Sequence, residues 1–498
     1  MDRDMEAGGD VLDFRQAQDF LNTTRTTLYR WIAQGRIKAF KAGRQWRMYR
    51  ADLERFLESP DPAGSPADEE AVEAAVEAVM GWAPEGAAGG ELPLGASPDD
   101  ARDGVASLAH RVLLAAVMPP SSDVHLDPSR SGGRLRLRID GVLRTVTDLP
   151  RDVFAALVGR LKLLAGMDIA DRASAQMGRI QETLHGGHAL SAIVQSLPTP
   201  LGEKLSLRIV SESLLDLSLG DLGMSDPDRE RLERALVQPT GIIIFGGPTG
   251  SGKTTVLYSA VMHAQSDENA VITVESTVYH LLPGAVQVQT NPRAGLSVAN
   301  ALQSVMRADP DIIAIGDVPD RESANLAVEA GLTGHLVLVQ LHANDALGNI
   351  QRVLDAGIEP FLFGHSLIAS VNQRLVRKVC EHCREKLPVD DETVSAWRRR
   401  AEAGGLEWQA DATFVQGAGC ERCRGVGFWR QTALFEVLAV EPEVASLIAQ
   451  GADLEAVHAA GVAGGMTTLF ADGIRKALEG ITSPIEVARV CDPAWMSV

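Results

Sequence analysis

The chain contains 498 residues, enough for about three domains, and its hydrophobic content of 45% is that of a folded globular protein. Its net charge of −19 excludes a surface that binds nucleic acid over its whole extent, so charge is informative only segment by segment. No apolar run approaches the roughly 20 residues of a membrane-spanning helix, and the first residues contain no apolar signal region. We therefore expect a protein of a reducing cytoplasm.

Residues 11–58 carry ten Lys and Arg against five Asp and Glu, a local excess of positive charge. The segment resembles excisionase-type and MerR-like winged helix-turn-helix domains, which place their second helix in the major groove of DNA. The predicted parts are a first helix at Leu12–Leu21, a turn at Asn22–Thr24, a second helix at Arg25–Ile32 and a β-wing at Lys38–Met48.

This resemblance implies two groups of DNA-binding residues. The start of the second helix would contact bases, and the wing would contact phosphates. A second interpretation, in which the same fold docks onto another protein, stays open. The predicted DNA-binding residues are Arg25, Thr26, Arg30, Lys41, Arg44 and Arg47.

Residues 59–104 are rich in Pro, Gly, Ala and acidic residues, which predicts a flexible, self-repelling linker. A short helix is predicted inside it, within Ala67–Met80, because apolar residues recur there at helical spacing. Its apolar face consists of Val72, Ala75, Val76 and Val79.

Two α/β domains are predicted after the linker. Residues 105–215 contain alternating strands such as Arg134–Ile139 and Leu205–Val210. Residues 216–379 alternate helices with continuous apolar runs, which indicates a largely parallel sheet covered on both faces. Those runs are Gly241–Phe245, Val271–Val274, Ile312–Ile315 and Leu336–Val339.

A complete phosphate-binding loop follows the first of these runs. Its glycines let the backbone curl close to a polyphosphate, and the N-terminus of the next helix offers unpaired N–H groups. Lys253 would reach the β- and γ-phosphates of ATP, and the Thr254 hydroxyl would hold Mg²⁺. The predicted nucleotide-binding residues are Gly247, Pro248, Thr249, Gly250, Ser251, Gly252, Lys253, Thr254 and Thr255.

Four of the 5 cysteines form two Cys-x-x-Cys pairs. Four thiolates in this pattern suit a tetrahedral Zn²⁺ that has no open coordination position, which is a structural metal centre. Residues 380–423 are therefore predicted to be a zinc-stapled element, and residues 424–498 a helical region. The predicted ligands are Cys380, Cys383, Cys420 and Cys423.

From about residue 108 to residue 490, the sequence resembles the type II secretion and type IV pilus assembly ATPases. The resemblance implies a RecA-like phosphate-loop ATPase core after a small PAS-like α/β domain. It also implies a homohexamer that binds ATP and Mg²⁺ and works on a platform protein at the cytoplasmic face of the inner membrane. The blocks that carry it are Ser122–Pro128, Arg138–Leu143, Leu164–Ala170, Leu197–Thr199, Arg307–Ile313, Leu332–Leu338, Leu341–Asp345 and Gln373–Arg377.

Several charged residues of that family are replaced in this chain. Asp317 stands where the family has a glutamate that polarises the attacking water, and its side chain is one methylene shorter. The acidic box reads Glu275–Tyr279 and keeps only the first of its usual carboxylates. Two expected arginines and one expected aspartate are replaced by Ile193, Pro319 and Met177.

The resemblance implies catalytic roles for carboxylates, for two histidines that flank one apolar run, and for arginines of the domain at 105–215. Arg160 is a further candidate among these arginines. Two functions stay open: a working but slow secretion or pilus motor ATPase, and a hydrolysis-impaired, ATP-gated regulatory protein that binds DNA. The predicted catalytic residues are Asp317, Glu275, His335, His342, Arg179 and Arg208.

Overall fold

The structure is a computed structural model, and its chain forms two compact units, Met1–Ile209 and Val210–Val498. None of the helices in the described parts of the chain is both long and apolar enough to cross a membrane. The residues that the structure describes are 11–20, 39–42, 45–50, 53, 68–82, 104–117, 121–184, 189–210, 217–408 and 413–491.

The first unit begins with a small sheet that packs against a helix. Two strands pair antiparallel with the third, so the predicted β-wing is a hairpin of the last two strands. Buried Ala17, Met48 and Leu53 form the core of this part. Its elements are β1 (Val11–Asp13), α1 (Phe14–Phe20), β2 (Phe40–Ala42) and β3 (Gln45–Tyr49).

Helix α1 begins later than the sequence pattern predicts, because a capping box closes its N-terminus. The Asp13 carboxylate accepts hydrogen bonds from the backbone N–H groups of Arg15 and Gln16, each at 2.9 Å. The Gln16 side chain in turn accepts from the Asp13 N–H at 2.9 Å. Leu12 and Asp13, predicted to be helical, consequently belong to β1.

The helix predicted inside the acidic linker is α2 (Glu69–Met80), and it packs into the core of the following domain against α3 (Gly104–Val117). The packed domain therefore starts before the predicted boundary at residue 105, because one face of α2 removes apolar surface from water there. That face consists of the buried residues Val72, Ala75 and Val79, with Val76 partly buried beside them.

The rest of the first unit is a six-stranded sheet in the order β6-β5-β4-β9-β8-β7. Its apolar face packs with α2, α3 and α4 in one hydrophobic core. This arrangement agrees with the predicted α/β domain. Its elements are β4 (Ser121–Pro128), β5 (Gly132–Ile139), β6 (Val142–Pro150), α4 (Arg151–Leu164), β7 (Gln176–Thr183), β8 (Ala189–Thr199) and β9 (Gly202–Val210).

The second unit is organised by a seven-stranded sheet in the order β12-β11-β13-β14-β10-β15-β18, parallel except for its last pair. The predicted α/β class with a largely parallel core sheet is therefore confirmed. The strands of the unit are β10 (Gly241–Gly246), β11 (Val271–Glu275), β12 (Ala285–Gln289), β13 (Ile312–Ile315), β14 (Leu336–Leu341), β15 (Leu367–Val379), β16 (Arg384–Lys386), β17 (Val415–Gly417) and β18 (Phe428–Ala439).

Helices cover both faces of this sheet. Ile242 and Ile244 of β10 join one hydrophobic cluster, whereas Ile243 and Phe245 join another on the opposite face. The helices are α5 (Asp226–Leu236), α6 (Lys253–Ala264), α7 (Val298–Val305), α8 (Arg321–Leu332), α9 (Ala346–Asp355), α10 (Pro360–Ser366), α11 (Asp391–Ala403), α12 (Pro442–Ala449), α13 (Leu454–Ala463), α14 (Leu469–Leu478) and α15 (Pro484–Cys491).

The sequence pattern predicts that residues 424–498 are helical. The structure corrects this prediction, because strand β18 lies among these residues. This strand pairs antiparallel with β15 along most of its length. The chain between the two strands therefore leaves the edge of the sheet and returns to it. It contains β16, β17 and α11, and helices α12–α15 follow β18.

Candidate nucleotide-binding and metal sites

The phosphate-binding loop connects β10 to α6 at the carboxyl edge of the parallel strands. Gly247, Gly250 and Gly252 have φ angles of 150°, 78° and 87°, a backbone region that residues with side chains rarely adopt. A Cβ atom on Gly247 would lie 2.3 Å from the Oγ of Ser251. The curl of the loop therefore requires glycine at this position.

Ser251 provides a local test of whether this loop fits an anion. The residue is 3% exposed, and its Oγ has no hydrogen-bond partner among the residues that the structure describes. Helix α6 begins two residues later, and the first N–H groups of a helix have no partners within that helix. A buried hydroxyl and free backbone donors together suit phosphate oxygens.

Lys253 is the first residue of α6 and is held inside the loop. Its Nζ donates hydrogen bonds to the carbonyl oxygens of Gly247 and Pro248 at 2.8 and 2.9 Å. Burial lowers the pKa of Lys253 to about 8; the charge of Asp317 opposes this shift, and that of Arg374 adds to it. The loop thus contains a cation that is costly to keep charged without an anion beside it.

His342 and Asp317 follow the ends of two neighbouring strands, β14 and β13, at the same edge of the sheet. The Nδ1 of His342 lies 3.4 Å from the Nζ of Lys253. Burial, followed by the charge of Lys253, lowers the pKa of His342, while Asp317 acts in the opposite direction. At neutral pH the imidazole is therefore uncharged and can accept a hydrogen bond from the lysine.

Glu275 ends β11 and is 4% exposed. Its carboxylate accepts hydrogen bonds from Thr273 Oγ1 at 2.6 Å, from Gln287 Nε2 at 3.1 Å and from the hydroxyl of Tyr258. Burial and this carboxylate raise the pKa of Tyr258, so its hydroxyl stays protonated. Two of these three donors tie Glu275 to α6 and β12, and its catalytic assignment stays a prediction.

His335 lies at the opposite edge of the sheet from the phosphate-binding loop. It precedes β14, and its Nδ1 lies 3.1 Å from the carbonyl oxygen of Ala330 in α8. The strand between His335 and His342 has 6 residues, so seven steps of about 3.3 Å, roughly 23 Å in all, separate the two histidines. Within this chain the two histidines are therefore not brought together. This agrees with their positions in the sequence, where they flank one apolar run.

The two predicted catalytic arginines lie in the first unit. Arg179 of β7 is paired with Ile193 of β8. Arg208 of β9 donates from its Nε to the carboxylate of Asp123 at 3.2 Å, and its side chain is 50% exposed. Their catalytic roles stay predictions, as does that of Arg160 in α4.

Gln373 supports the phosphate-binding loop and was not singled out by sequence reasoning. Its Nε2 donates to the carbonyl oxygen of Ser251 at 2.6 Å in a buried hydrogen bond. A Cβ atom on Gly252 would lie 2.5 Å from that same Nε2. The available signal was the block Gln373–Arg377, which pointed to the family but not to a contact 122 residues away.

The four cysteines of the Cys-x-x-Cys pairs come together between β15 and β18. Their sulfur atoms all lie within 4.8 Å of one another. A Zn–S bond of about 2.3 Å places the sulfurs of a tetrahedral site about 3.8 Å apart, so the cluster fits zinc. The measured Sγ–Sγ separations are 3.9 Å for Cys380–Cys420, 3.7 Å for Cys383–Cys423 and 3.6 Å for Cys420–Cys423.

Two backbone donors orient the sulfur of Cys423. The N–H groups of Cys420 and Gly427 each point to the Sγ of Cys423 at 3.2 Å. Burial by itself raises the pKa of Cys423, but these donors and neighbouring thiols lower it to about 6. Burial and its neighbours raise the pKa of Cys383 to about 12. A divalent cation would stabilise thiolates that otherwise repel one another at this distance.

The DNA-binding prediction falls mostly on residues that the structure does not describe. Arg47 is a partly buried residue of β3, and Lys41 belongs to β2. Arg25, Thr26, Arg30 and Arg44 lie outside the described residues.

Comparison with known proteins places these sites in a family. A family model described as Type II/IV secretion system protein matches residues 99–489, and one described as Helix-turn-helix domain matches residues 11–60. The type II secretion system protein E of Dickeya dadantii is 37% identical over 405 residues, which are 80% of this chain and 78% of that protein. The type IV pilus assembly ATPase PilB of Thermus thermophilus is 38% identical over 377 residues, 76% of this chain and 42% of that protein.

A solved structure agrees at the level of the fold. The match to the crystal structure of the ATPase DotB of Legionella pneumophila covers 82% of this chain and 98% of the DotB chain. The TM-score is 0.55 and the sequence identity 19%. The matched range 99–489 includes the phosphate-binding loop and all four clustered cysteines. The chain therefore belongs to the type II/IV secretion system protein family and carries an N-terminal helix-turn-helix domain.

Proposed function

We propose that this chain is a motor ATPase that hydrolyses ATP to drive a secretion or pilus assembly system. The observation that carries the proposal is the grouping of Lys253, His342 and Asp317 at one edge of the parallel sheet. Phosphoryl transfer depends mainly on positioning and on the neutralisation of charge. Relatives named as ATPases, PilB and DotB, support the same activity.

The residues of this edge have distinct parts in the proposed reaction. Protonated Lys253 neutralises charge on the β- and γ-phosphates. The Thr254 hydroxyl and Asp317 would hold Mg²⁺, which neutralises phosphate oxygens when it is bound. Asp317 also orients the attacking water. His342 accepts a hydrogen bond from Lys253 and responds when that lysine turns to a phosphate.

We further propose that the motor works as a homohexamer, peripheral to the cytoplasmic face of the inner membrane, where it acts on a platform protein. Family membership supports this assignment. Arg179 and Arg208 are the proposed arginines through which the domain at residues 105–215 stabilises the charge of the transition state. His335, remote from the loop within the chain, would act only through another subunit.

A second candidate function is favoured by the helix-turn-helix domain and by the reduced set of catalytic charges. In it, ATP is a ligand that gates a DNA-binding regulatory protein and is hydrolysed poorly. Asp317 in place of glutamate and the internally bonded Glu275 both point in this direction. The two functions differ in whether bound ATP turns over.

The tetracysteine cluster is proposed to be a structural zinc site. Cys380, Cys383, Cys420 and Cys423 would occupy all four coordination positions, so a bound metal would hold the two ends of the excursion together and leave no position for substrate.

ATP turnover by the parent protein and by variants at Asp317 distinguishes the two functions. Asp317→Asn should abolish Mg²⁺-dependent phosphate release while leaving ATP affinity nearly intact, because only the carboxylate is lost. Asp317→Glu should raise turnover, since a misplacement of about 1 Å can cost on the order of 10²-fold. Lys253→Ala provides the blank. Equal turnover of the Asn variant and the parent protein would remove Asp317 from catalysis, and tight ATP binding without turnover above the blank would favour the gated regulator.

ATP affinity should depend on the protonation of Lys253. Because burial lowers the pKa of this lysine to about 8, its charged form is lost as the pH rises from 7 to 9. The charged form binds phosphate, so ATP affinity should fall by about tenfold over this interval. Lys253→Arg, which stays charged, should give a flat profile when binding is measured with a fluorescent ATP analogue. The same decline in both proteins would show that another group controls the profile.

Zinc binding should require the cysteine cluster and not the remaining thiol. Purified protein should contain about one zinc per chain by elemental analysis, since four sulfurs complete one tetrahedral site. Cys423→Ser should lose the metal, whereas Cys491→Ser, which changes a cysteine outside the cluster, should retain it. Zinc retained by Cys423→Ser at the parental level would contradict the site.

DNA binding should depend on the helix-turn-helix. Arg25→Ala and Arg44→Ala should each weaken binding to duplex DNA and lower its salt dependence by about one ion, because each removes one cationic contact. Arg130→Ala, an exposed arginine in the β4–β5 turn, matches the loss of charge outside this domain. Titrations at several salt concentrations give both quantities. Unchanged binding in the two domain variants would favour protein docking instead.

A further inference from the structure

Glu436 is a buried carboxylate that the proposed reaction does not use. It lies in β18 and is 4% exposed. Its Oε1 accepts a hydrogen bond from the backbone N–H of Ala346 at 2.7 Å, and its Oε2 accepts one from Leu469 at 3.0 Å. Ala346 and Leu469 are the first residues of α9 and α14, whose first N–H groups lack partners within the helix. One carboxylate thus joins the N-termini of two helices.

The first of these helices follows a short segment that contacts Lys253 of the phosphate-binding loop. Residues 342–345 run from the end of β14 to the start of α9. They begin with His342, whose Nδ1 lies 3.4 Å from the Nζ of Lys253. They end with Asp345, which caps α9 by accepting a hydrogen bond from the Gly348 N–H at 2.6 Å. A displacement of His342 is therefore passed along a short segment to the start of α9.

Side chains of β15 keep that segment from moving independently. Asn372 Nδ2 donates to the carbonyl oxygen of Ala343 at 3.3 Å, and Arg374 donates to that of Asn344 at 2.9 Å. Because β15 also pairs with β18, the segment, α9 and Glu436 share one framework. A change at one end of this framework has a continuous path of hydrogen bonds and backbone to the other end.

We propose that Glu436 is a positioning residue that transmits occupancy of the phosphate-binding loop to the C-terminal helix α14. The path leads from Lys253 through His342 to Ala346, and from there through the carboxylate to Leu469. This inference rests on the ATP binding proposed above and adds the route by which that binding reaches the C-terminal region.

The bridge depends on the charge of Glu436. Burial raises its pKa to about 7, against the effect of the two backbone donors. The ionised group accepts from both helices, whereas protonation turns one oxygen into a donor. The bridge is therefore complete above about pH 7 and weakens as the pH falls. The other charged or titratable groups around the adjoining cavity of about 660 Å³ are Asp345 at the N-cap of α9, Arg374 of β15, Arg400 of α11, His458 of α13 and Cys491 of α15.

Hydrogen exchange of the full chain tests the proposal. With ATP and Mg²⁺ at saturation, exchange of the amides of Leu469–Leu478 should slow by at least about fivefold, the lower end of typical couplings between sites. Glu436→Gln keeps the size of the side chain but can accept only from one helix. In this variant the amides should exchange equally with and without ATP.

A matched control separates transmission from simple stabilisation of α14. Thr468→Ala removes the N-cap of the same helix, whose hydroxyl accepts from Ala471, and leaves the Glu436 bridge intact. This variant should exchange faster overall yet still respond to ATP. The parent protein should also respond more strongly at pH 8 than at pH 6, a measurement that needs no variant.

Three results overturn the proposal. An ATP response of α14 that persists in Glu436→Gln, or that is absent from the parent protein while a fluorescent ATP analogue binds, removes Glu436 from the path. Failure of the parent protein to bind the analogue at all removes the proposed ATPase function together with this inference, so the two failures are distinguishable.

Discussion

The ammonium group of Lys253 is held between the carbonyl oxygens of Gly247 and Pro248 at the end of a fully buried strand. Several elements of the second unit position this lysine. The glycines allow the turn, Gln373 supports it from β15, and His342 approaches the lysine from β14. Parallel strands bring these contributions together because their carboxyl ends meet at one edge of the sheet.

The carboxylates at this edge differ in their surroundings. The charge of Asp317 acts to raise the pKa values of both Lys253 and His342. Glu275 accepts hydrogen bonds from Tyr258 and two further side chains, and is almost completely buried. Of the two acidic residues that the sequence makes candidates, Asp317 thus has the stronger electrostatic effect on the loop.

The C-terminal part of the chain is attached to the sheet and is not a separate appendage. Strand β18 pairs with β15, and Glu486 of α15 forms a buried ion pair with Arg377 of β15 at 2.7 Å. The cysteine cluster lies where the chain leaves and re-enters this edge. A metal there and a buried ion pair nearby would both restrict β15 and β18, the strands that carry Gln373 and Glu436.

Sequence alone determined the features that depend on neighbouring residues. The glycine loop, the apolar strands and the two Cys-x-x-Cys pairs are local patterns whose chemistry follows from spacing, and the helix at Glu69–Met80 was visible from its apolar face. The N-terminus of α1 was misplaced by two residues because the capping box of Asp13 competes with the helical pattern.

Only the tertiary structure decided which side chains meet. It placed His342 beside Lys253, surrounded Glu275 with donors from α6 and β12, and set Glu436 between two helices that start 123 residues apart in the sequence. These contacts join residues that are far apart in the sequence. They depend on the order of the strands in the sheet, which the local spacing of residues does not encode. The sequence therefore determined which chemical groups this protein possesses, whereas packing decided which of them act on one another.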